Sequence, residues 1–383
     1  MSDTEDLPEP DRLDGAPHPR ETPRVIGQEA AEQAFLTAHN SGRLHHGWLL
    51  TGPRGLGKAT LAWEIARFLL ATPPAAADDG LFGAPPPPLS LHIDPDHPVA
   101  HRMRALSEPG LFLLRRGGAG SADSERDKAL REGRFSDYIR VDEIRKLHAF
   151  FGLSAADGGR RVVIVDSADE LNTQAANALL KMLEEPPART TLLLLSHQPA
   201  RLLPTIRSRC RTLRLSPLSP EDMAAALAQA GAEVPPDQVE PLTMLAEGSV
   251  GAAMRLLNND GLALYREMLG LLGSLPALDR ARLLSLSDSC AGKGKDDRLD
   301  LLLTLAGQLA ARLARTGVTG HPPPQVLPGE GEVLSRLAGD PAAGRRWADV
   351  AQEAGDRARH ARAVNIDPAA LVTDLFLQLQ KAA

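Results

Sequence analysis

The chain has 383 residues, which is enough for two or three domains that each bury a core of their own. Its net charge of −6 lacks the strong basic excess of a free-standing nucleic-acid binder, so any DNA contact should be local or shared with partners. The two cysteines, Cys210 and Cys290, lie far apart, which excludes a cysteine-based zinc module and a disulfide framework and fits a reducing cytoplasm.

The first part of the chain predicts a tail followed by regular structure. Residues 1–22 are rich in proline, glycine and acidic residues, which predicts a disordered tail. The acidic start is unlike a signal peptide, and no apolar run reaches transmembrane length, so we expect a cytoplasmic protein without a membrane partner. Regular structure is predicted to begin near residues 25–28 and to continue as a helix through Phe35.

Residues 52–60 have the pattern of a phosphate-binding loop with one departure. The pattern G-x-x-x-x-G-K-[ST] is met by Gly52, Gly57 and Lys58, but Ala59 replaces the hydroxyl residue that would hold Mg²⁺. Thr60 lies about 100° farther around the helix and cannot simply substitute for it. An apolar run precedes the loop and a helical apolar pattern follows it, which is the context that the motif requires.

The loop therefore predicts a site for ATP or ADP, although the site could also stand empty. Backbone N–H groups of the glycine-rich turn would surround phosphate oxygens, and the lysine would add a positive charge. The alternative is a glycine-rich turn that binds no ligand. The candidate nucleotide-binding residues in this stretch are Gly52, Pro53, Arg54, Gly55, Leu56, Gly57, Lys58, Ala59 and Thr60.

The middle of the chain alternates predicted strands and helices. Residues 73–110 are dense in proline and predict an irregular insertion, and its three histidines are interpreted as loop residues, not as metal ligands: His92, His97 and His101. Residues 117–135 predict a second loop. Strands are predicted at 48–51, 111–114, 162–165, 192–195 and 212–215, with helices between them. This alternation predicts an α/β fold whose parallel five-stranded sheet is covered on both faces.

Beyond Pro217 the sequence predicts helices only. Three short helical segments over residues 217–261 predict a small lid domain. Residues 262–383 predict a longer helical bundle, which leaves residues 23–216 as the α/β nucleotide-binding domain.

Asp166 directly follows the apolar run 162–165, as does the aspartate that supports Mg²⁺ in P-loop proteins. A capping or turn aspartate after a buried strand explains the residue equally well. Ser167 stands where a catalytic glutamate often follows. Together with Ala59 this disfavours hydrolysis by the chain's own site, because phosphoryl transfer depends on positioning and charge neutralisation.

Six motifs occur in a fixed order, and the most specific of them are the stretches 177–187 and 208–210. The full set comprises residues 25–28, 52–60, 142–145, 166–169, 177–187 and 206–210. With these motifs the chain resembles the AAA+ clamp-loader family of bacterial DNA polymerase III. The similarity covers roughly residues 23–260, and the helical C-terminal region matches only in kind.

The resemblance implies that Arg209 acts as an arginine finger on the ATP site of a neighbouring subunit. A surface or salt-bridged arginine is the alternative, since other arginines surround it in the sequence. The resemblance also places Ser196 at the sensor position that would contact a γ-phosphate or its attacking water.

Departures from the family point to a subunit that is not a motor. Motor subunits carry a serine or threonine after the P-loop lysine, a glutamate after the strand-ending aspartate, and an arginine in a Gly-Ser-x-Arg segment. This chain has Ala59, Ser167 and Gly251 at these positions. Many members bind zinc through four cysteines that are absent here, so no zinc is expected.

The resemblance predicts a clamp-loader subunit of the DNA polymerase III holoenzyme, a DNA-directed DNA polymerase complex, with its own ATPase activity absent. Its partners would be the other loader subunits, reached through the AAA+ and collar domains, and the sliding clamp and primed DNA, reached through the complex. One alternative is a self-sufficient AAA+ motor of the helicase type, which would turn over ATP alone. Another is a small-molecule P-loop kinase, which has no use for a helical collar.

Overall fold

The computed structural model describes residues 8–72, 86–152, 159–292, 294–364 and 367–383. The chain divides into two compact units. The first comprises the described residues up to Glu233 together with Ser249–Gly251, and the second comprises Val234–Gly248 together with Ala252–Ala383. Residues of the predicted lid fall in both units, so the three-domain division remains a prediction.

The first unit is built on a five-stranded sheet in the order β2-β3-β4-β1-β5, with every neighbouring pair parallel. The strands are β1 (Gly47–Thr51), β2 (Leu111–Leu114), β3 (Arg161–Val165), β4 (Thr190–Ser196) and β5 (Arg211–Arg214). Strands β1 and β4 are buried along their whole length, as expected of strands that helices cover on both faces. The predicted α/β fold with a parallel five-stranded sheet is confirmed.

The described residues of the first unit also form eight α-helices. They are α1 (Glu29–Asn40), α2 (Lys58–Ala71), α3 (Pro98–Arg104), α4 (Asp123–Arg131), α5 (Val141–Gly152), α6 (Thr173–Glu184), α7 (Pro204–Arg207) and α8 (Pro220–Gln229). Helix α6 begins where the sequence predicts, because the Asn172 side chain accepts a hydrogen bond from the Ala175 N–H. Its apolar face packs with α5 in one core cluster against the sheet.

The prediction of a disordered tail over residues 1–22 is wrong for residues 8–22. Glu9 and Asp11 accept hydrogen bonds from Arg115, which directly follows β2. The Arg67 guanidinium of α2 donates to the carbonyls of Arg20, Thr22 and Pro23. The composition suggests a solvated segment, but cations from distant parts of the chain fix it in place.

Two stretches predicted to be irregular contain helices. Within residues 73–110, the described part from residue 86 onward includes α3, whose N-terminus is capped by His97. Val99, Ala100 and Met103 of this helix are buried, so this part of the predicted insertion belongs to the core. Within residues 117–135, helix α4 buries only Ala129, and this low apolar content explains why its periodicity escaped prediction.

The second unit is entirely helical in its described residues. Its helices are α9 (Pro236–Leu245), α10 (Val250–Asn258, from Ala252 onward), α11 (Gly261–Gly273), α12 (Arg280–Ser289), α13 (Asp296–Thr319), α14 (Glu330–Leu337), α15 (Pro341–Val364) and α16 (Pro368–Ala382). Helices α13 and α15 approach closely at Gly317 and Gly344, where a Cβ on Gly317 would lie 2.6 Å from the Gly344 Cα. None of the helices in the described ranges is both long and apolar enough to cross a bilayer.

Glu64 of α2 is a buried carboxyl whose titration should be visible in stability. Its Oε2 accepts a hydrogen bond from the Val25 N–H at 2.8 Å. Burial raises its pKa from 4.5 to about 7, and the nearby Glu32 carboxylate adds to the rise. Between these pH values the folded protein holds a proton that the unfolded chain has released, so the unfolding free energy falls as the pH rises.

We expect Glu64→Gln to remove this part of the pH dependence, because the amide keeps an acceptor for Val25 and cannot ionise. Urea unfolding at pH 5 and pH 8 should show that the variant gains up to about 3 kcal/mol relative to wild type at the higher pH. Exposed Glu221→Gln is the control and should leave the pH dependence unchanged. The same fall in stability with pH in Glu64→Gln and wild type would contradict the prediction.

Candidate functional site

The candidate phosphate-binding loop connects the carboxyl end of β1 to the N-terminus of α2. Its three glycines have φ angles of +146° (Gly52), +82° (Gly55) and +90° (Gly57), a region that other residues rarely adopt. The loop therefore has the backbone that the motif predicts, and the first N–H groups of α2 lie at its end.

Carbonyl groups of the loop itself accept the hydrogen bonds of the Lys58 ammonium group. The side chain is 3% exposed, and its Nζ donates to the carbonyl oxygens of Gly52 at 2.7 Å and Pro53 at 2.5 Å. Burial lowers its pKa to about 8, although the charges of Asp169 and Asp166 oppose the change. A phosphate that bound here would have to replace these contacts with its own.

The segment Ser249–Gly251 lies directly on the loop. The Ser249 Oγ donates to the Arg54 carbonyl at 2.8 Å, and the Gly251 N–H donates to the Gly55 carbonyl at 3.1 Å. A Cβ on Gly251 would lie 2.8 Å from the Gly55 Cα, so this arrangement leaves no room for any side chain at position 251. The sequence has no arginine at position 251, and the fold could not accommodate one there.

We expect Gly55→Ala to destabilise the first unit because a methyl group would meet the Ser249 Oγ at 2.5 Å. The substitution would also force a non-glycine residue to a φ of +82°, which costs about 1 kcal/mol or more. Gly42→Ala is a matched control, since Gly42 has a φ of +68° and nothing within 4 Å of an added Cβ. A clearly larger drop in melting temperature for Gly55→Ala is expected, and equal drops would refute the close packing.

Asp166 and Ser167 follow β3 beside the loop. Burial raises the pKa of Asp166 to about 7, and the carboxylates of Asp11 and Glu170 add to the rise. Such a carboxyl is a weaker Mg²⁺ ligand at neutral pH than an ordinary ionised aspartate. Ser167 has a φ of +62°, and its Oγ lies 3.2 Å from the His197 Nε2. The position of a catalytic glutamate thus holds a short hydroxyl residue in contact with a histidine.

Ser196 ends β4 directly beside Thr51, the last residue of β1. Its side chain is fully buried, and its Oγ has no hydrogen-bond partner among the described residues. An orphaned buried hydroxyl at the end of the strand next to the loop is consistent with the predicted contact to a phosphate.

The structure gives partners to side chains beside the loop that the sequence did not place in the candidate site. Glu170 accepts a hydrogen bond from Arg54 of the loop at 2.8 Å and forms an ion pair with Arg116 at 3.1 Å. His197 lies against Ser167, and its backbone N–H donates to Asp169 at 3.0 Å. Both residues have a sequence signal, because Glu170 lies four residues after Asp166 and His197 directly follows the strand-ending Ser196.

The donors of this edge fit a nucleotide phosphate better than they fit a metal. The loop N–H groups, Lys58 and Ser196 could hold phosphate oxygens. For Mg²⁺, Ala59 supplies no oxygen, and the pKa of Asp166 is raised to about 7. We therefore assign no step to a metal ion.

Arg209 lies at the amino ends of the strands, opposite the carboxyl ends that carry the phosphate-binding loop. It lies between α7 and β5, and its carbonyl lies beside Gly47 at the start of β1. Because β1 has 5 residues, about 17 Å of strand separate this point from the phosphate-binding loop. The guanidinium pairs with Glu184 at 2.9 Å and donates to the Thr205 carbonyl at 3.1 Å. It is therefore placed away from its own loop, with its side chain 38% exposed.

A phosphate-binding loop after the first strand, on a parallel sheet in the order β2-β3-β4-β1-β5, defines a P-loop nucleotide-binding fold. A family model described as "DNA polymerase III, delta subunit" matches residues 93–219. The chain is a homologue of the DNA polymerase III clamp-loader subunits, and the resemblance to that group of proteins, which its motifs predict, is confirmed.

Three relatives describe this similarity. The delta-prime subunit of DNA polymerase III from Pseudomonas aeruginosa is 39% identical over 230 residues, covering 58% of this chain and 60% of that protein. The delta-prime subunit from Escherichia coli is 31% identical over 229 residues, covering 60% and 59%. The gamma/tau subunit from Mycobacterium tuberculosis is 31% identical over 299 residues, covering 72% and 46%. The chain thus spans about three fifths of the length of the delta-prime relatives that it matches.

Proposed function

We propose that this chain is a delta-prime-type subunit of a clamp loader that places the sliding clamp on primed DNA. The observation that carries the proposal is the position of Arg209 at the amino ends of the strands, whereas its own phosphate-binding loop lies at their carboxyl ends. An arginine in that place cannot assist its own site, but it can contact a nucleotide held by a neighbouring subunit. Within the proposal, the other loader subunits are direct partners, and the clamp and DNA are reached through the complex.

The pairing of Arg209 is compatible with this role. Its partner Glu184 is 42% exposed, so their ion pair is screened by solvent and worth about 1 kcal/mol or less. The guanidinium can therefore leave Glu184 at small cost when a γ-phosphate is presented to it. In related phosphoryl-transfer enzymes an arginine supplied in trans accelerates the reaction by about 10³–10⁵.

The chain's own loop is proposed to bind a nucleotide weakly or not at all and not to hydrolyse it. Supporting this are Ala59 and Ser167 at two catalytic positions, together with the packing of Gly251 on Gly55. The same features weigh against a self-sufficient motor, which needs a complete site of its own. ATP turnover by the purified chain alone would restore that alternative.

Reconstitution of the loader with and without this chain tests the proposal. The gamma/tau and delta homologues of the same organism would be mixed with the chain, and the complex isolated by size-exclusion chromatography. We expect a stable complex whose ATP turnover, in the presence of clamp and primed DNA, depends on this chain. Failure of the chain to enter the complex would reject the proposal.

A further inference from the structure

Residues 8–20 form an arm, here called the acidic arm for its Glu9, Asp11 and Asp14, that is held at the carboxyl end of β2. Glu9 accepts hydrogen bonds from Arg20 at 2.7 Å and 2.8 Å and from Arg115 at 3.0 Å. Asp11 accepts a further hydrogen bond from Arg115, and its side chain is only 3% exposed. Arg115 follows β2, so the arm is held at the carboxyl ends of the strands, where the loop also lies, with β3 and β4 between β2 and β1.

His18 lies against Glu9 and Asp11, but the three residues are not arranged to bind a metal ion. Glu9, Asp11 and His18 lie close enough together to be considered as ligands of an ion. However, the His18 Nδ1 accepts the Arg20 N–H at 3.0 Å, so the ring proton must reside on Nε2, which faces Asp11 at 3.1 Å. A protonated Nε2 offers no lone pair to a metal, and Arg20 and Arg115 already balance the two carboxylates.

A series of polar contacts connects the arm to the phosphate-binding loop. The Pro10 carbonyl accepts a hydrogen bond from Arg116, which also pairs with Glu170 at 3.1 Å. Glu170 in turn accepts a hydrogen bond from Arg54, a residue of the loop. The cations that could approach a phosphate from this side, Arg54, Arg115 and Arg116, are thus engaged by the chain's own oxygen atoms.

The arm also places negative charge near the site. Besides burial, which contributes most, the charge of Asp11 raises the pKa of Asp166, while the charges of Arg54 and Arg115 lower it. Asp11 is therefore near enough to Asp166 for their charges to interact at the end of β3. A negatively charged nucleotide entering the loop would meet the charge of Asp11, which Arg115 balances in part.

We propose that the acidic arm is a built-in competitor of anionic nucleotides, in which Glu9 and Asp11 occupy Arg115 and repel phosphates from the loop. The proposal rests on the nucleotide site proposed above and assigns a regulatory contact to it. Displacement of the arm, for example by a basic surface of a partner subunit, would free Arg115 and make the loop more attractive to a nucleoside polyphosphate.

The test compares nucleotide binding by the full chain and by the variant Glu9→Gln/Asp11→Asn, whose amides keep the size of the carboxyl groups. The probe is a ribose-labelled fluorescent ADP analogue, titrated without Mg²⁺ at low salt. We expect the variant to bind the ADP analogue about tenfold more tightly than wild type, and we expect added salt to reduce this difference in affinity. The control Glu29→Gln/Glu221→Gln removes the same charge from exposed positions and should bind as wild type does.

Adding Lys58→Ala to the arm variant should abolish the gain, which would locate the binding at the loop. A gain that survives Lys58→Ala would overturn the proposal, as would equal binding, or no binding, by wild type and the arm variant. If the arm variant does not fold, a chain beginning at Asp14 keeps His18 and Arg20 and should show the same gain. A peptide of residues 1–13 should then compete with the nucleotide. Loader ATP turnover, which tests Arg209, reports on a neighbouring subunit, so failures of the two proposals are distinguishable.

Discussion

Arg209→Ala is expected to lower clamp- and DNA-stimulated ATP turnover by about 10³-fold at the neighbouring site that Arg209 is proposed to serve. The reason is electrostatic, because the guanidinium would neutralise charge that develops on the γ-phosphate in a site sheltered from water. Assembly should persist, since the ion pair lost with Glu184 is solvent-exposed and contributes little to stability. The measurement is single-turnover ATP hydrolysis by the reconstituted loader, with assembly checked by size-exclusion chromatography.

Three further variants separate a finger from an ordinary surface arginine. Arg207→Ala removes an exposed charge two residues away and should leave turnover nearly unchanged. Glu184→Ala removes the competing carboxylate and should not slow the reaction. Lys58→Ala alters only the chain's own loop and should affect clamp loading far less than Arg209→Ala. Unchanged turnover in Arg209→Ala, or equal losses in Lys58→Ala and Arg209→Ala, would leave the chain as a scaffold.

Glu330→Ala is expected to destabilise the second unit by about 3–5 kcal/mol. Glu330 is fully buried, and its Oε1 accepts hydrogen bonds from the Tyr265 hydroxyl and the Arg312 Nε, each at 2.7 Å. Its Oε2 accepts the Val326 N–H at 2.6 Å. Removing the carboxylate would leave a hydroxyl, a backbone N–H and part of a guanidinium without their acceptor, and such groups are costly to bury.

Smaller changes at the same network should give smaller losses. Glu330→Gln keeps an acceptor but loses the charge opposite Arg312, so its loss should be intermediate. Tyr265→Phe removes one hydroxyl and should cost about 1 kcal/mol. Hydrogen exchange of the amides in α11 and α14 would locate the effect in this unit. An unchanged exchange rate in Glu330→Ala would show that the network does not support the helices around it.

The fold and half of the candidate site could be predicted because their signals are local. Consecutive apolar residues such as 162–165 predict a strand that is buried on both faces, and strands alternating with helices predict a parallel sheet. Gly52, Gly57 and Lys58 predict the loop, because the spacing of glycines determines where the backbone can take positive φ angles. The position of Arg209 before the last strand already predicts an edge of the sheet.

Other features could not be predicted because their energies come from partners far away in the sequence. Glu9 and Asp11 have the composition of a solvated tail, and only the approach of Arg115, more than 100 residues later, makes them part of the fold. The same holds for Ser249 and Gly251, which reach the loop at Arg54 and Gly55. No local sequence pattern predicts such contacts between distant segments.

The sequence by itself thus determined the sheet and the phosphate-binding loop. It also showed that Ala59 and Ser167 stand where catalytic groups would be expected, which disfavours catalysis. The tertiary structure alone decided how the loop is satisfied, with Lys58 bonded to carbonyls of the loop and Gly251 packed on Gly55. The physical reason is the range of the interactions. Backbone preference and apolar periodicity act over a few residues, whereas hydrogen bonds, ion pairs and close packing depend on which distant segments the folded chain brings together.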